Sequence, residues 1–214
     1  MKETIIVAIE YKEPEWEKTD CCLSALDIPI ILVDRKGVGS MAKSYNQGFK
    51  KALELYPKMK YVWFVSNVTF NKIDLVRLTS EIRKSKYAAL HPAFDSDHEF
   101  CKVKDGVVGV KPAPFIEFTC PIVRADVFKK FQLNENMPYW GHDLDWGYRV
   151  REAGYSIGVL HGYCKISHVY IRNSEMHDIT RERLEKRTAT DKQTVNQLKK
   201  LYGNNWRRKT GLMP

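Results

Sequence analysis

The chain has 214 residues, 43% of them apolar, with five Trp, eleven Tyr and nine Phe; that suffices for one sizeable α/β core and excludes a disordered chain. A formal net charge of +9 suits phosphates, nucleic acid or an anionic surface. Part of that excess lies late, in residues 181–187 and in Arg207-Arg208-Lys209, where an exposed charged helix and a tail account for it without a partner.

The apolar runs at residues 4–9 and 61–65 have strand length, and none approaches the ~20 residues of a membrane-spanning helix. Residues 1–4 run into the first strand without a signal-peptide pattern, so a cytoplasmic protein is expected. Cys21, Cys22, Cys101, Cys120 and Cys164 form no C-x-x-C pair and no zinc spacing, and are expected to be reduced and mostly buried.

In chain order, residues 4–11 form a continuous β-branched run that predicts a strand covered on both faces. Glu13-Pro14-Glu15 supplies a helix first turn leading into residues 16–26. Residues 30–33 predict a second buried strand, ending at Asp34. A glycine-bearing loop over 36–40 then leads into an amphipathic helix over 41–56, where Met41, Tyr45, Phe49, Ala52 and Leu55 recur at helical spacing. Residues 61–65 predict a third buried strand and 73–86 a helix. This alternation implies a parallel sheet with helices on its faces. Ligands of such sheets bind outside the carboxyl ends of the strands, which singles out Glu10, Asp34, Ser66 and Asn67.

In the second half, Asp105-Gly106 predicts the turn of a small β-hairpin over 101–110. A strand over 115–123 and a short helix near 125–131 follow. An aromatic loop spans 138–142, and a helix over 144–153 closes at Gly154. Short strands at 157–161 and 164–170 precede a last amphipathic helix over 180–202, carrying Leu184, Val195, Leu198 and Leu201. With no repeat or linker, one domain is expected.

Four segments carry a resemblance. They are Ile31-Leu32-Val33-Asp34; residues 39–49, with Asn46-Gln47-Gly48; residues 115–128, with a polar kink at Thr119-Cys120; and Trp140-Gly141-His142-Asp143-Leu144-Asp145-Trp146-Gly147-Tyr148-Arg149, followed by Ala153-Gly154-Tyr155 and His168. In order and spacing, over residues 4–170, they resemble the family 2 glycosyltransferases. The resemblance implies a single GT-A domain, Rossmann-like, with a mixed, mostly parallel central sheet and helices on both faces. It divides the chain into a nucleotide-sugar-binding half over 1–92, an acceptor-binding and catalytic half over 93–177, and a C-terminal helix and tail over 178–214.

The resemblance further implies transfer of a sugar from a UDP-, GDP- or dTDP-linked donor to a hydroxyl of a carbohydrate or lipid-linked acceptor, with inversion, as in polysaccharide biosynthesis. Asp143 is the expected general base, placed at a helix start where the dipole favours its ionised form; Asp145 competes for the role. Glu10, Asp34, Lys43, Asn46, Ser66 and Asn67 are expected at the donor, and Tyr139, Trp140 and Asp145 at the acceptor. A divalent metal, Mn2+ or Mg2+, would rest on Asn67 and His168. The chain departs from the family where an acidic D-x-D is usual: it reads Val65-Ser66-Asn67, a weak donor set for a hard cation. His142 replaces the first acid of the later pair. Lys36 or Lys43 is then an alternative source of positive charge, and Asp95-Ser96-Asp97 reads as a solvated loop.

A catalytically degenerate module of the same fold, binding a nucleotide sugar or a glycan, is the second reading, and Asp143 speaks against it. No nucleic-acid-binding motif is present, and the first strand lacks the Gly-rich loop of a nucleotidyltransferase. For the last helix, packing on the domain, pairing with a second copy and peripheral contact with a membrane all stay open.

Overall fold

The β-branched run at the start of the chain forms β1 (Thr4–Glu10), buried at every position but its last. The computed structural model describes residues 3–10, 15–34, 40–94, 101–137, 140–164, 166–168 and 181–213. After β1 come α1 (Glu15–Ser24), β2 (Ile30–Asp34), α2 (Met41–Leu55), β3 (Tyr61–Val65), β4 (Val68–Thr69), α3 (Lys72–Lys84) and β5 (Ala89–Pro92). The second half contributes β6 (Gly109–Pro112), β7 (Ile122–Arg124), α4 (Ala125–Lys130), α5 (His142–Glu152), β8 (Ile157–His161), β9 (Ser167–His168), α6 (Arg181–Tyr202) and α7 (Trp206–Thr210).

Seven strands make one sheet in the order β2-β1-β3-β7-β5-β8-β6, and β4 and β9 form a separate two-stranded ladder. β1 runs parallel to β2 and β3, and β5 parallel to β8. β7 lies antiparallel between β3 and β5, so those two point the same way. The carboxyl ends of β1, β2, β3, β5 and β8 therefore share one edge. The expected mixed, mostly parallel sheet with helices on both faces is what the chain forms.

The period-2 alternation of a strand sorts the core into two layers. Ile5, Val7 and Ile9 of β1 and Val62 and Phe64 of β3 pack with Tyr45 and Phe49 of α2, Phe128 of α4 and Trp146 of α5. Ile6, Ala8, Trp63 and Val65 face the other way, onto Trp16 and Leu23 of α1 and Leu75, Leu78 and Ile82 of α3. A third cluster joins Phe115, Met137 and Leu144 to Leu198 of α6 and Trp206 of α7. The last helix thus packs on the domain.

Several expectations change, among them the mostly buried cysteines: only Cys101 and Cys120 of the five are buried. β2 is an edge strand, and only Ile31 of its five residues is buried. The turn at Asp105-Gly106 forms, with Gly106 at φ +72°, but residues 109–112 pair with β8 instead of folding back on 101–104. The strand expected over 115–123 shrinks to β7, because the backbone before it bonds across to the ends of other strands: Ser66 N–H donates to the Thr119 carbonyl (2.8 Å) and Phe64 N–H to that of Pro121 (3.0 Å). In α6, Leu198 is buried while Leu201 is exposed.

Candidate active site

Glu10 and Asp34 are register partners at the ends of adjacent parallel strands, so their side chains emerge on the same face of the sheet. Glu10 is half-buried and Asp34 exposed. One strand further along, β3 delivers Ser66, buried, and Asn67, whose φ of +47° makes it the one non-glycine in the left-handed region among the described residues. The Asn67 Oδ1 is buried without a hydrogen-bond partner among the described residues. An orphaned acceptor on a strained backbone at a strand end is the kind of outlier that marks functional positions.

A chain of contacts joins this strand end to α5. The Tyr45 hydroxyl of α2 lies 2.9 Å from the Ser66 Oγ and also bonds the Phe118 carbonyl. The Phe118 ring meets the His142 ring at 6.2 Å and the Trp146 ring at 5.2 Å. His91, at the end of β5, places its Nε2 3.0 Å from the Thr119 Oγ1. Segment 117–119 is therefore the wall between the β3 terminus and the first turn of α5.

That first turn carries both sequence-predicted acids, and helical geometry sends them apart. Asp145 is 1% exposed; its Oδ2 accepts from the Arg149 Nε (2.8 Å) and its Oδ1 from the Tyr202 hydroxyl (2.5 Å). Burial, followed by the bond to Asp145, pushes the Tyr202 phenol up, so it stays a donor. Asp143 is half-exposed, accepts from the Leu144 N–H at 2.9 Å, and forms no ion pair among the described residues. Of the two carboxylates, Asp143 is open to a ligand and Asp145 is committed to the scaffold.

Glu117 was not anticipated. Burial alternates along 116–119, with Ile116 and Phe118 inside and Glu117 and Thr119 half-exposed, so Glu117 and Thr119 share the open side of the wall. Burial pushes the Cys101 thiol up to about 12, with the charges of Glu117 and Asp143 adding to the effect. No residue-type pattern announced Glu117. Its alternation within a segment that is not a strand was the available signal.

The remaining predicted residues divide. Lys43 is exposed in the first turn of α2, its N–H donating to the Ser40 Oγ of the cap (3.3 Å). Asn46 is buried, and its amide is spent on the segment before α5: Nδ2 donates to the Leu133 carbonyl and to the Glu135 Oε1 (each 2.9 Å), and Oδ1 accepts from Leu133 N–H (3.0 Å). Trp140 is half-buried and donates its Nε1–H to the Asp191 Oδ1 at 2.7 Å. Val68 of β4 pairs with His168 of β9, which brings the backbones of Asn67 and His168 together. Tyr139, Lys36, Asp95 and Asp97 lie outside the described residues.

A cavity of about 360 Å³ lined by Lys60, Arg83, Arg124 and Asp126 opens at the amino end of β3, on the opposite edge. Each of its cations has an acidic partner, Lys60 and Arg83 sharing Glu3 and Arg124 holding Asp126.

No protein-family model matches this sequence, and no curated protein matches it. Solved structures do. GalNAc-T7, crystallised with UDP, GalNAc and Mn2+, superposes with a TM-score of 0.55 at 9% identity, over 78% of this chain. TarS of S. aureus, residues 1–349, superposes with a TM-score of 0.55 at 14% identity, over 95% of this chain. The chain spans 44% of the length of the first and 74% of the second. Both are GT-A glycosyltransferases, and at these identities the likeness establishes the fold.

Proposed function

We propose that this GT-A chain is a glycosyltransferase that moves a sugar from a nucleotide-diphosphate donor to a hydroxyl of a glycan or lipid-linked acceptor, with inversion at the anomeric carbon. The observation that carries the reading is Asp143: a half-exposed carboxylate in the first turn of α5, across segment 117–119 from the end of β3, in a fold whose solved neighbours are glycosyltransferases. The acceptor oxygen attacks the anomeric carbon, the bond from that carbon to the diphosphate oxygen breaks with its electron pair leaving on the diphosphate, and the hydroxyl proton passes to the Asp143 carboxylate. Glu10, Asp34 and the Ser66–Asn67 strand end would seat the nucleotide. Glu117, half-exposed on the same wall, would lie on the acceptor side.

Mn2+ accompanies UDP in the GalNAc-T7 crystal. Here the end of β3 offers one neutral Asn67 oxygen and a Ser66 hydroxyl already bonded to Tyr45. No group of three or more His, Cys, Asp or Glu that could hold a metal occurs among the described residues. Hard divalent cations take anionic oxygens, which Ser66 and Asn67 do not supply; the His168 side chain lies outside the described residues. Compensation of the leaving diphosphate would instead fall to Lys43 and the amino end of α2, whose first turn carries no acid. No helix among the described residues is long and apolar enough to cross a membrane.

Thermal stability against UDP-, GDP-, dTDP- and CMP-linked sugars, with and without Mn2+, tests the reading. One nucleotude class is expected to raise Tm by about 5–10 °C at a hundredfold excess over Kd, equally in EDTA. The neutral Asn67 favours a second reading, a module that binds the nucleotide sugar without transferring it. A Tm rise with no transfer or hydrolysis would select it, and no rise at millimolar ligand would overturn both.

A further inference from the structure

The acceptor side of the site is not confined to the segment around Asp143. α6 crosses beside it and holds both flanks of its turn. At one flank the Trp140 Nε1–H donates to the Asp191 carboxylate at 2.7 Å. At the other the Tyr202 hydroxyl donates to Asp145. Between them, Gly141 takes φ +87° and approaches α6 so closely that an added Cβ would lie 2.8 Å from the Thr194 Cγ2. The indole packs against the cluster of Phe115, Met137, Leu144, Leu198 and Trp206 while remaining half-buried. A charge-assisted bond at the ring edge and apolar packing thus fix the orientation of Trp140, three residues before Asp143.

We infer that Asp191 is a positioning residue for acceptor recognition: it holds the Trp140 indole as a rigid platform on which the apolar face of a neutral sugar stacks, with the hydroxyl to be glycosylated directed at Asp143. Trp ordinarily loses freedom about two side-chain torsions when it binds a ligand, and a ring anchored in advance avoids that loss. The ring edge is used by the carboxylate, so recognition falls to the ring face, which suits a neutral pyranose. The inference rests on the acceptor being a sugar, as proposed above.

The experiment combines NMR of the indole N–H resonances with kinetics. The five Trp residues give five such signals, and Trp140→Phe assigns the relevant one. Glucose, galactose, N-acetylglucosamine, N-acetylgalactosamine and rhamnose, titrated to about 100 mM, are expected to move the Trp140 signal in the native chain in at least one case. In Asp191→Ala that response should weaken about tenfold, which is 1.4 kcal/mol, and Asp191→Asn, which keeps the accepting oxygen, should restore it. In turnover assays Asp191→Ala should raise the acceptor KM by a similar factor and leave kcat and donor Kd within about twofold. A Trp140 signal that no saccharide moves, or that moves equally in Asp191→Ala, overturns the inference. Saccharide binding at Trp140 without any sugar transfer would overturn the transferase reading alone and leave the platform standing.

Discussion

Asn67 holds a backbone conformation that costs a non-glycine residue on the order of 1 kcal/mol, somewhat less for Asn than for most. Its buried oxygen has no partner among the described residues. Glycine would relieve the backbone, so Asn67→Gly is expected to hold or raise Tm while weakening nucleotide-sugar binding; a loss of Tm together with binding would make Asn67 a structural residue. Asp143→Asn should reduce turnover by at least a hundredfold and leave the nucleotide-dependent rise in Tm intact, since the amide keeps the shape of the side chain. Normal turnover in that variant would sink the assignment. Residues at this scale were unevenly legible. The separation of Asp143 from Asp145 followed from helix geometry. The use of Asn46 did not, because its partners sit 87 and 89 positions away, and Asp191 lies 51 from Trp140. Side-chain bonds over such separations leave no periodic trace.

At the level of elements, strands and helices with a strong apolar period were readable: β1, α2, β3 and β8 stand where the pattern placed them. β4 and β9 are two residues each, too short to show a period, and β7 was overestimated because its preceding residues are equally apolar but bond outside a ladder. The close seat of α2 on the sheet has a sequence signature in Gly48, where an added Cβ would lie 2.4 Å from the Val7 Cγ1 and 2.8 Å from the Val33 Cγ2. Gly48→Ala gains helix propensity yet must push α2 off β1 and β2. A net loss of about 1–3 kcal/mol is expected in chemical denaturation, and a stabilised variant would contradict the packing. The α5–α6 contact offers a matching case: Tyr202→Phe keeps the ring against Tyr148 at 4.7 Å and removes the donor to buried Asp145. The expected cost is about 1.5–3 kcal/mol.

For the molecule as a whole, stability should depend on pH in a predictable direction. Burial lowers the pKa of His161, with Lys104 and Lys111 adding to it. The folded state therefore resists a proton that the unfolded chain accepts below its ordinary value of about 6.5. Between that value and the lower folded one the unfolded state binds more protons, so stability rises with pH there and falls on acidification. Denaturation midpoints at pH 7.5 and 5.5 should differ in that sense, and His161→Gln should shrink the difference; an unchanged difference would assign the effect elsewhere. Removal of residues 178–214 should give an insoluble remainder, because Leu198 and Trp206 are buried against Phe115, Met137 and Leu144. A soluble, folded truncation would show the third cluster to be dispensable.

The antiparallel insertion of β7 between β3 and β5 also governs how the chain can be made. β3 is complete at Val65, but the strand that covers its free edge begins at Ile122, and β5, synthesised between them, pairs with β7 and not with β3. On a ribosome adding roughly 5–20 residues per second, the half-built sheet waits several seconds with an apolar strand edge open to other chains. Sequestration of that nascent edge, more than the stability of the finished fold, would then set how much active protein a cell obtains.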